Sequence, residues 1–196
     1  MLGDSNSWSS RSLRAGKLPK GVRGRVLVPN ADARGSFTEF FCDSWQTGFD
    51  PVQWSVVKSS AGVLRGMHLH RRHDEFFLLV SGRCCVGLRD LRPGSITETV
   101  YCLLEFSEVE YVFVTFPRGI LHGWYFFEDS VHIQGISNEE YSRYHIDDNL
   151  GCHWSDPALE IPWPEIPTIV SERADQFPHL ATLLETVYPA TIEPDA

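Results

Sequence analysis

Gly62-Val-Leu-Arg65-Gly-Met-His68-Leu-His70-Arg-Arg-His73-Asp-Glu75-Phe-Phe-Leu-Leu-Val-Ser-Gly82 carries the densest structural signal in the chain. It reads as two strands joined by a charged turn. His68 and His70 are two residues apart, so on a strand both imidazoles share one face. The apolar run after Glu75 returns as the neighbouring strand, and Ser81-Gly82 ends it. Outward from this hairpin, residues 22–29, 36–41, 52–59, 63–70, 75–80, 83–90, 97–105, 111–116, 122–127 and 130–136 all read as strands. Pro29-Asn30, Arg34-Gly35, Pro93-Gly94 and Pro117-Arg118-Gly119 mark turns between them. Many short strands with close turns predict a mainly β sandwich or barrel, of which the jelly roll is one form.

After Tyr141 the texture changes. Trp154, Pro157, Pro162, Trp163, Pro164 and Pro167 make a rigid extended segment. Residues 171–188 read as one helix, with Ser171 as cap, Glu172 in the first turn, and Ala181, Leu183, Leu184 and Val187 as the apolar stripe. The expected organisation is a tail over 1–20, one domain over 21–188 and a second tail over 189–196.

The 196 residues hold 17 Lys+Arg against 26 Asp+Glu, a net charge of −9. That balance argues against a nucleic-acid partner, because phosphate backbones recruit clustered Lys and Arg. No apolar run approaches the ~18–20 residues of a membrane span, and residues 1–20 lack the apolar stretch of a secretion signal. The five cysteines are odd in number and show no CxxC spacing, which excludes a disulfide framework or thiolate zinc site as the expected reading. Reduced thiols point to the cytoplasm. Adjacent Cys84 and Cys85 should face opposite sides of a strand.

The hairpin fits G-x5-H-x-H-x4-E-x6-G, and Pro117-Arg-Gly119-Ile-Leu-His122 fits P-x-G-x-x-H. His68, His70, Glu75 and His122 can therefore converge inside a barrel as a divalent-metal site with room for exogenous ligands. Together the two elements resemble the paired motifs of the cupin superfamily, with Tyr111 where a glycine is expected before the second. The resemblance implies a cupin jelly-roll barrel with a short C-terminal helix and a bound Fe, Mn, Ni or Zn. No organic cofactor is expected.

A longer match runs through the flanks. Asp32-Ala-Arg34-Gly35-Ser-Phe37-Thr-Glu39, Gln53, Gly62-Val-Leu-Arg65-Gly66-Met-His68, Leu91-Arg92-x-x-Ser95-x-Thr97, Pro117-x-Gly119-x-x-His122-Gly123, Tyr141, Trp154-Ser-Asp156-Pro157, Ile161-x-Trp163-Pro164 and Ser171 stand in register. This pattern resembles the dTDP-4-dehydrorhamnose 3,5-epimerase family over about residues 22–180. The resemblance implies a homodimer that exchanges N-terminal strands and acts on a nucleotide-linked 4-keto-6-deoxy sugar. It implies His68 as the base, His122 as the second active-site histidine, and Tyr141 at the site. Arg34 and Arg65 match sugar-nucleotide and phosphate contacts, with Glu39 and Gln53 lining the nucleotide site.

The chain also departs from that pattern. The family's acid tyrosine, counted six residues before Tyr141, falls on Gly135. Its lysine falls on Glu75, and its dyad aspartate on Ala174, beside Asp175. Its H-Y-Q becomes His68-Leu69-His70. A divalent ion would supply the positive charge that a lysine gives a developing enolate. If His68 binds metal it is no longer a free base, and His73, His132, Tyr125 or Tyr141 must move the proton. Read alone, His73 is a solvated turn residue and His132 a hydrogen-bonded strand residue. Three functions follow: epimerisation or isomerisation of a keto sugar nucleotide, other metal-dependent cupin chemistry such as dioxygenation or small-sugar isomerisation, or sugar-nucleotide binding without catalysis.

Overall fold

The computed structural model describes residues 7–144 and 148–189. The framework is two antiparallel sheets face to face. One sheet joins β1 (Leu13–Gly16), β9 (Tyr101–Ser107), β8 (Arg83–Asp90), β11 (Ile120–Phe126), β6 (Val63–Leu69) and β13 (Leu150–Gly151), with β14 (Ile169–Val170) parallel to β6. The other runs β2 (Arg23–Val26), β10 (Val112–Phe116), β7 (Glu75–Ser81), β12 (Ser130–Ser137) and β5 (Pro51–Ser59). A small hairpin, β3 (Asn30–Asp32) and β4 (Gly35–Phe37), stands apart from both.

Both faces of the central strands are covered, which explains the unbroken apolar run after Glu75. Phe77 and Leu79 point between the sheets, with Val86, Leu88, Leu104, Val114, Trp124 and Phe126. Phe76 and Leu78 point outward under Phe40, Phe41, Trp45 and Phe49. Glu75 shares the parity of Phe77 and Leu79, so the pleat carries its carboxylate inside. Cys84 and Cys85 divide as expected, one between the sheets and one beneath the C-terminal segment. All five cysteines are free thiols.

Four expectations need correction. Residues 7–16 are not a tail: α1 (Ser7–Ser12) buries Trp8 in the main core, and β1 pairs with β9. The strand expected over 36–41 stops at Phe37, and Phe40 and Phe41 serve instead as apolar cover. The strand expected over 97–105 begins at Tyr101. Before it, Asp90 gathers Arg92, Ser95 and Thr97 into a turn. After the single-turn α2 (Tyr141–Tyr144), the expected helix is two, α3 (Glu172–Asp175) and α4 (Leu180–Val187), because Pro178 lacks an amide and disfavours helical geometry at Phe177. Ser171 caps α3 by accepting from the Ala174 amide. On α4 the buried stripe is Leu180, Leu183 and Val187, with Ala181 exposed. Residues 190–196 of the expected C-terminal tail lie outside the described residues. Among the described residues no helix is long and apolar enough to cross a membrane.

Asp156 fastens the start of α4 to the loop over residues 154–160. Its carboxylate accepts from the amides of Leu180 (2.6 Å) and Ala158 (2.9 Å) and pairs with His179 (3.1 Å). Burial raises its pKa, but these bonds outweigh burial and hold it below the ordinary carboxylate range. Its contribution is therefore complete above the unfolded pKa of ~3.9 and is lost as pH falls through the lower folded value. Asp156→Ala should cost about 2–3 kcal/mol at pH 7, read as a lower melting temperature, with the gap to wild type narrowing in acid. An unchanged melting temperature at pH 7 would refute the role.

Candidate active site

A cavity of about 620 Å³ opens among β5, β6, β11 and β12, within the size range of small-ligand pockets. Gln53, Arg65, His68, His70, Trp124, His132, Gln134 and Tyr141 are among its walls. β6 reaches this position through an irregularity opposite β11. His68 pairs with His122 and Gly66 with Gly123, so Met67 is extra on β6. Gly66 sits at φ +125°, and a Cβ there would lie 2.6 Å from the Gly123 Cα.

His68 faces the cavity with its ring between Trp124 and Phe177, at centroid distances of 6.4 and 5.8 Å. Burial, with the positive fields of His70, Arg173 and Arg65, lowers its pKa to about 3. At neutral pH it is an uncharged imidazole facing the cavity. Among the described residues no carboxylate hydrogen-bonds its ring. Ala174 is buried, and the exposed Asp175 lies 3.8 Å from His153. Arg65 is anchored by donating to Ser59 Oγ (2.8 Å) and to the Lys58 carbonyl (3.0 Å).

The structure separates His68 from the expected metal-type set. Glu75 Oε1 is approached by His70 Nε2 at 3.4 Å, His73 Nε2 at 3.2 Å and His122 Nε2 at 4.0 Å. The His68 ring lies 6.3 and 6.1 Å, centroid to centroid, from those of His70 and His122. His73 takes the place expected for His68. It is 0% exposed rather than solvated, because Asp148 closes over its turn, accepting from the Arg71 and Arg72 amides. Burial opposes charge on His73, yet its hydrogen bonds to Asp148 and Glu75 raise its pKa to about 9. Burial lowers the pKa of His70 and, further, of His122.

Other expected positions move as well. Gly135 faces Trp54 and Phe49, where a Cβ would lie 2.6 Å from the indole. The pocket-facing residues of β12 are His132, Gln134 and Ile136, so Gln134 stands beside the cavity wall where an acid was sought. Gln134 donates to Glu75 Oε2 at 2.9 Å. His132 is buried among Phe77, Trp124 and Phe126. Its Nδ1 has no hydrogen-bond partner among the described residues, contrary to the satisfied histidine expected, and burial lowers its pKa to about 3. Tyr125 lies outside the cavity lining and donates to Glu165. Tyr141 stands at the cavity lip, its amide bonded to Gln53. Arg34 and Glu39 are exposed and do not line the cavity. Arg34 pairs with Asp32 at the tip of the β3–β4 hairpin.

The family model for dTDP-4-dehydrorhamnose 3,5-epimerase matches residues 20–182. The chain belongs to that family. The dTDP-4-dehydrorhamnose 3,5-epimerase of Escherichia coli is 27% identical over 176 residues, 83% of this chain and 90% of its own. The spore coat polysaccharide biosynthesis protein SpsL of Bacillus subtilis is 30% identical over 106 residues, 53% of this chain and 69% of its own. The crystal structure of the Elizabethkingia anophelis dTDP-4-dehydrorhamnose 3,5-epimerase superposes with a TM-score of 0.74 at 27% identity. That match covers 87% of this chain and 96% of the other.

Proposed function

We propose that the chain epimerises a dTDP-linked 4-keto-6-deoxy sugar at one carbon next to the ketone. The observation that carries this reading is His68, an uncharged buried imidazole on the wall of a cavity sized for a small ligand. A ketone acidifies its neighbouring C–H, and a base held within reach removes that proton. Arg65, fixed beside the cavity, suits the pyrophosphate through its planar fork. The β12 wall offers Gln134 instead of an acid, so reprotonation falls to Tyr141 at the lip or to water. One such donor favours a single epimerisation over two. Incubation with a dTDP-4-keto-6-deoxyhexose should yield a product inverted at one carbon adjacent to the ketone. A sugar nucleotide that binds and returns unchanged would overturn this in favour of a binding protein. Its free thiols accord with a cytoplasmic setting.

The working unit in this reading is a homodimer. Arg34 is set on an exposed hairpin away from its own cavity, and a second copy can receive it. Val28 and Phe37 flank that hairpin in the open, and edge strand β5 presents Val52, Trp54 and Val56. Exposed edges of this kind invite pairing. Light scattering should give twice 22.3 kDa. A monomer at micromolar concentration would contradict the dimer.

A further inference from the structure

We infer that His70, His73 and Glu75 form a binding site for one divalent transition-metal ion, with His122 at its edge and His68 outside the ligand set. This rests on side-chain geometry and is independent of the reaction proposed above.

The three imidazoles are oriented alike. Each turns Nδ1 outward to an oxygen: His70 to the Asp148 carbonyl at 2.6 Å, His73 to Asp148 Oδ2 at 3.4 Å, and His122 to the Ile120 carbonyl at 3.1 Å. Each turns Nε2 inward toward Glu75 Oε1, at 3.4, 3.2 and 4.0 Å. For His70 and His122 an outward Nδ1–H held by a carbonyl fixes the tautomer that leaves Nε2 as a lone-pair donor, the usual support of a metal-bound histidine, whereas His73 Nε2, which hydrogen-bonds Glu75, would have to lose its proton for an ion to bind. Donor atoms bonded to a common ion at about 2.1 Å lie roughly 3.0–3.5 Å apart, which the distances of His70 and His73 from Glu75 meet and the 4.0 Å of His122 exceeds.

Two further observations point to an occupant. His122 Nε2 is buried, faces Glu75 Oε1 and has no hydrogen-bond partner among the described residues, a costly arrangement unless something binds it. Glu75 uses Oε2 to accept from Gln134, which leaves Oε1 facing the three nitrogens. His70, His73 and Glu75 offer two nitrogens and one oxygen, donors suited to Zn²⁺, Fe²⁺, Co²⁺ or Ni²⁺. One carboxylate against a divalent ion leaves a net positive charge behind the cavity wall. The ion would also tie the end of β6 to β7.

The test uses the full chain, stripped with chelator and then titrated with Zn²⁺ and, separately, Co²⁺. Expected are about one ion per chain by elemental analysis, visible Co²⁺ absorption bands, and a melting temperature that falls on chelation and recovers with Zn²⁺. His73→Ala and Glu75→Gln should each weaken Zn²⁺ binding by about 100-fold or more, and His68→Ala by less than about 3-fold. Should a variant fail to fold, the wild-type stoichiometry, Co²⁺ spectrum and melting shift still decide the question. Sub-stoichiometric metal in the wild type overturns the site. So does metal that survives both substitutions, or metal lost in His68→Ala and kept in His73→Ala. A chain that takes up neither Zn²⁺ nor Co²⁺ yet still epimerises would overturn this inference and leave the proposed function standing.

Discussion

His68→Ala should lower turnover of a dTDP-4-keto-6-deoxyhexose by about 10²–10⁴-fold, the range for loss of a general base. Binding of dTDP, followed by calorimetry, should change by less than about 3-fold, because the phosphate contacts assigned to Arg65 do not pass through the imidazole. The split follows from the geometry. His68 is the cavity-facing imidazole that stands clear of Glu75, and burial beside Arg65, His70 and Arg173 keeps it uncharged. Its ring packs against Trp124 and Phe177, so a melting curve should accompany the assay. Equal losses of binding and turnover would show that His68 only shapes the pocket. Unchanged turnover would assign the base elsewhere, with His132 next in position.

The largest stability effect should come from Gly66→Ala. At φ +125° a side chain is strained, and its Cβ would meet the Gly123 Cα at 2.6 Å and the His122 carbonyl at 2.7 Å. Those are backbone atoms of β11, which cannot rotate aside. Strain and forced strand separation together should cost about 2–5 kcal/mol, a fall in melting temperature of roughly 5–15 °C. The same shift would part His68 from His122 across the ladder, so turnover should fall beyond what lost stability explains. Wild-type melting would refute the claim that the close approach of β6 and β11 builds the site.

The sheet framework was legible in the sequence because its signals are local. The periodicity of β6 and the run after Glu75 give strand parity, and parity alone puts Glu75 indoors with Phe77 and Leu79. His73 was misread because its burial comes from Asp148, more than seventy residues away. From the sequence, Arg71-Arg72-His73-Asp74 is a charged turn open to water. α1 and β1 escaped notice for a related reason. Six helical residues show no period, and the partner of β1 is distant β9. Pro178 was a visible signal that should have divided the C-terminal helix. Counting back from Tyr141 placed Gly135 in the active site, whereas the pleat of β12 turns it to Trp54 and gives the cavity Gln134. A one-residue difference in register moves a side chain through the sheet.

Solvent isotope uptake tests the central claim most directly. The enzyme is incubated with a dTDP-4-keto-6-deoxyhexose in deuterium oxide, and the product is read by mass spectrometry and proton NMR. The account predicts one deuterium per sugar, on the inverted carbon adjacent to an unmoved ketone, and no uptake with His68→Ala. Two deuteriums, a shifted ketone, or undiminished uptake by the His68 variant would contradict it.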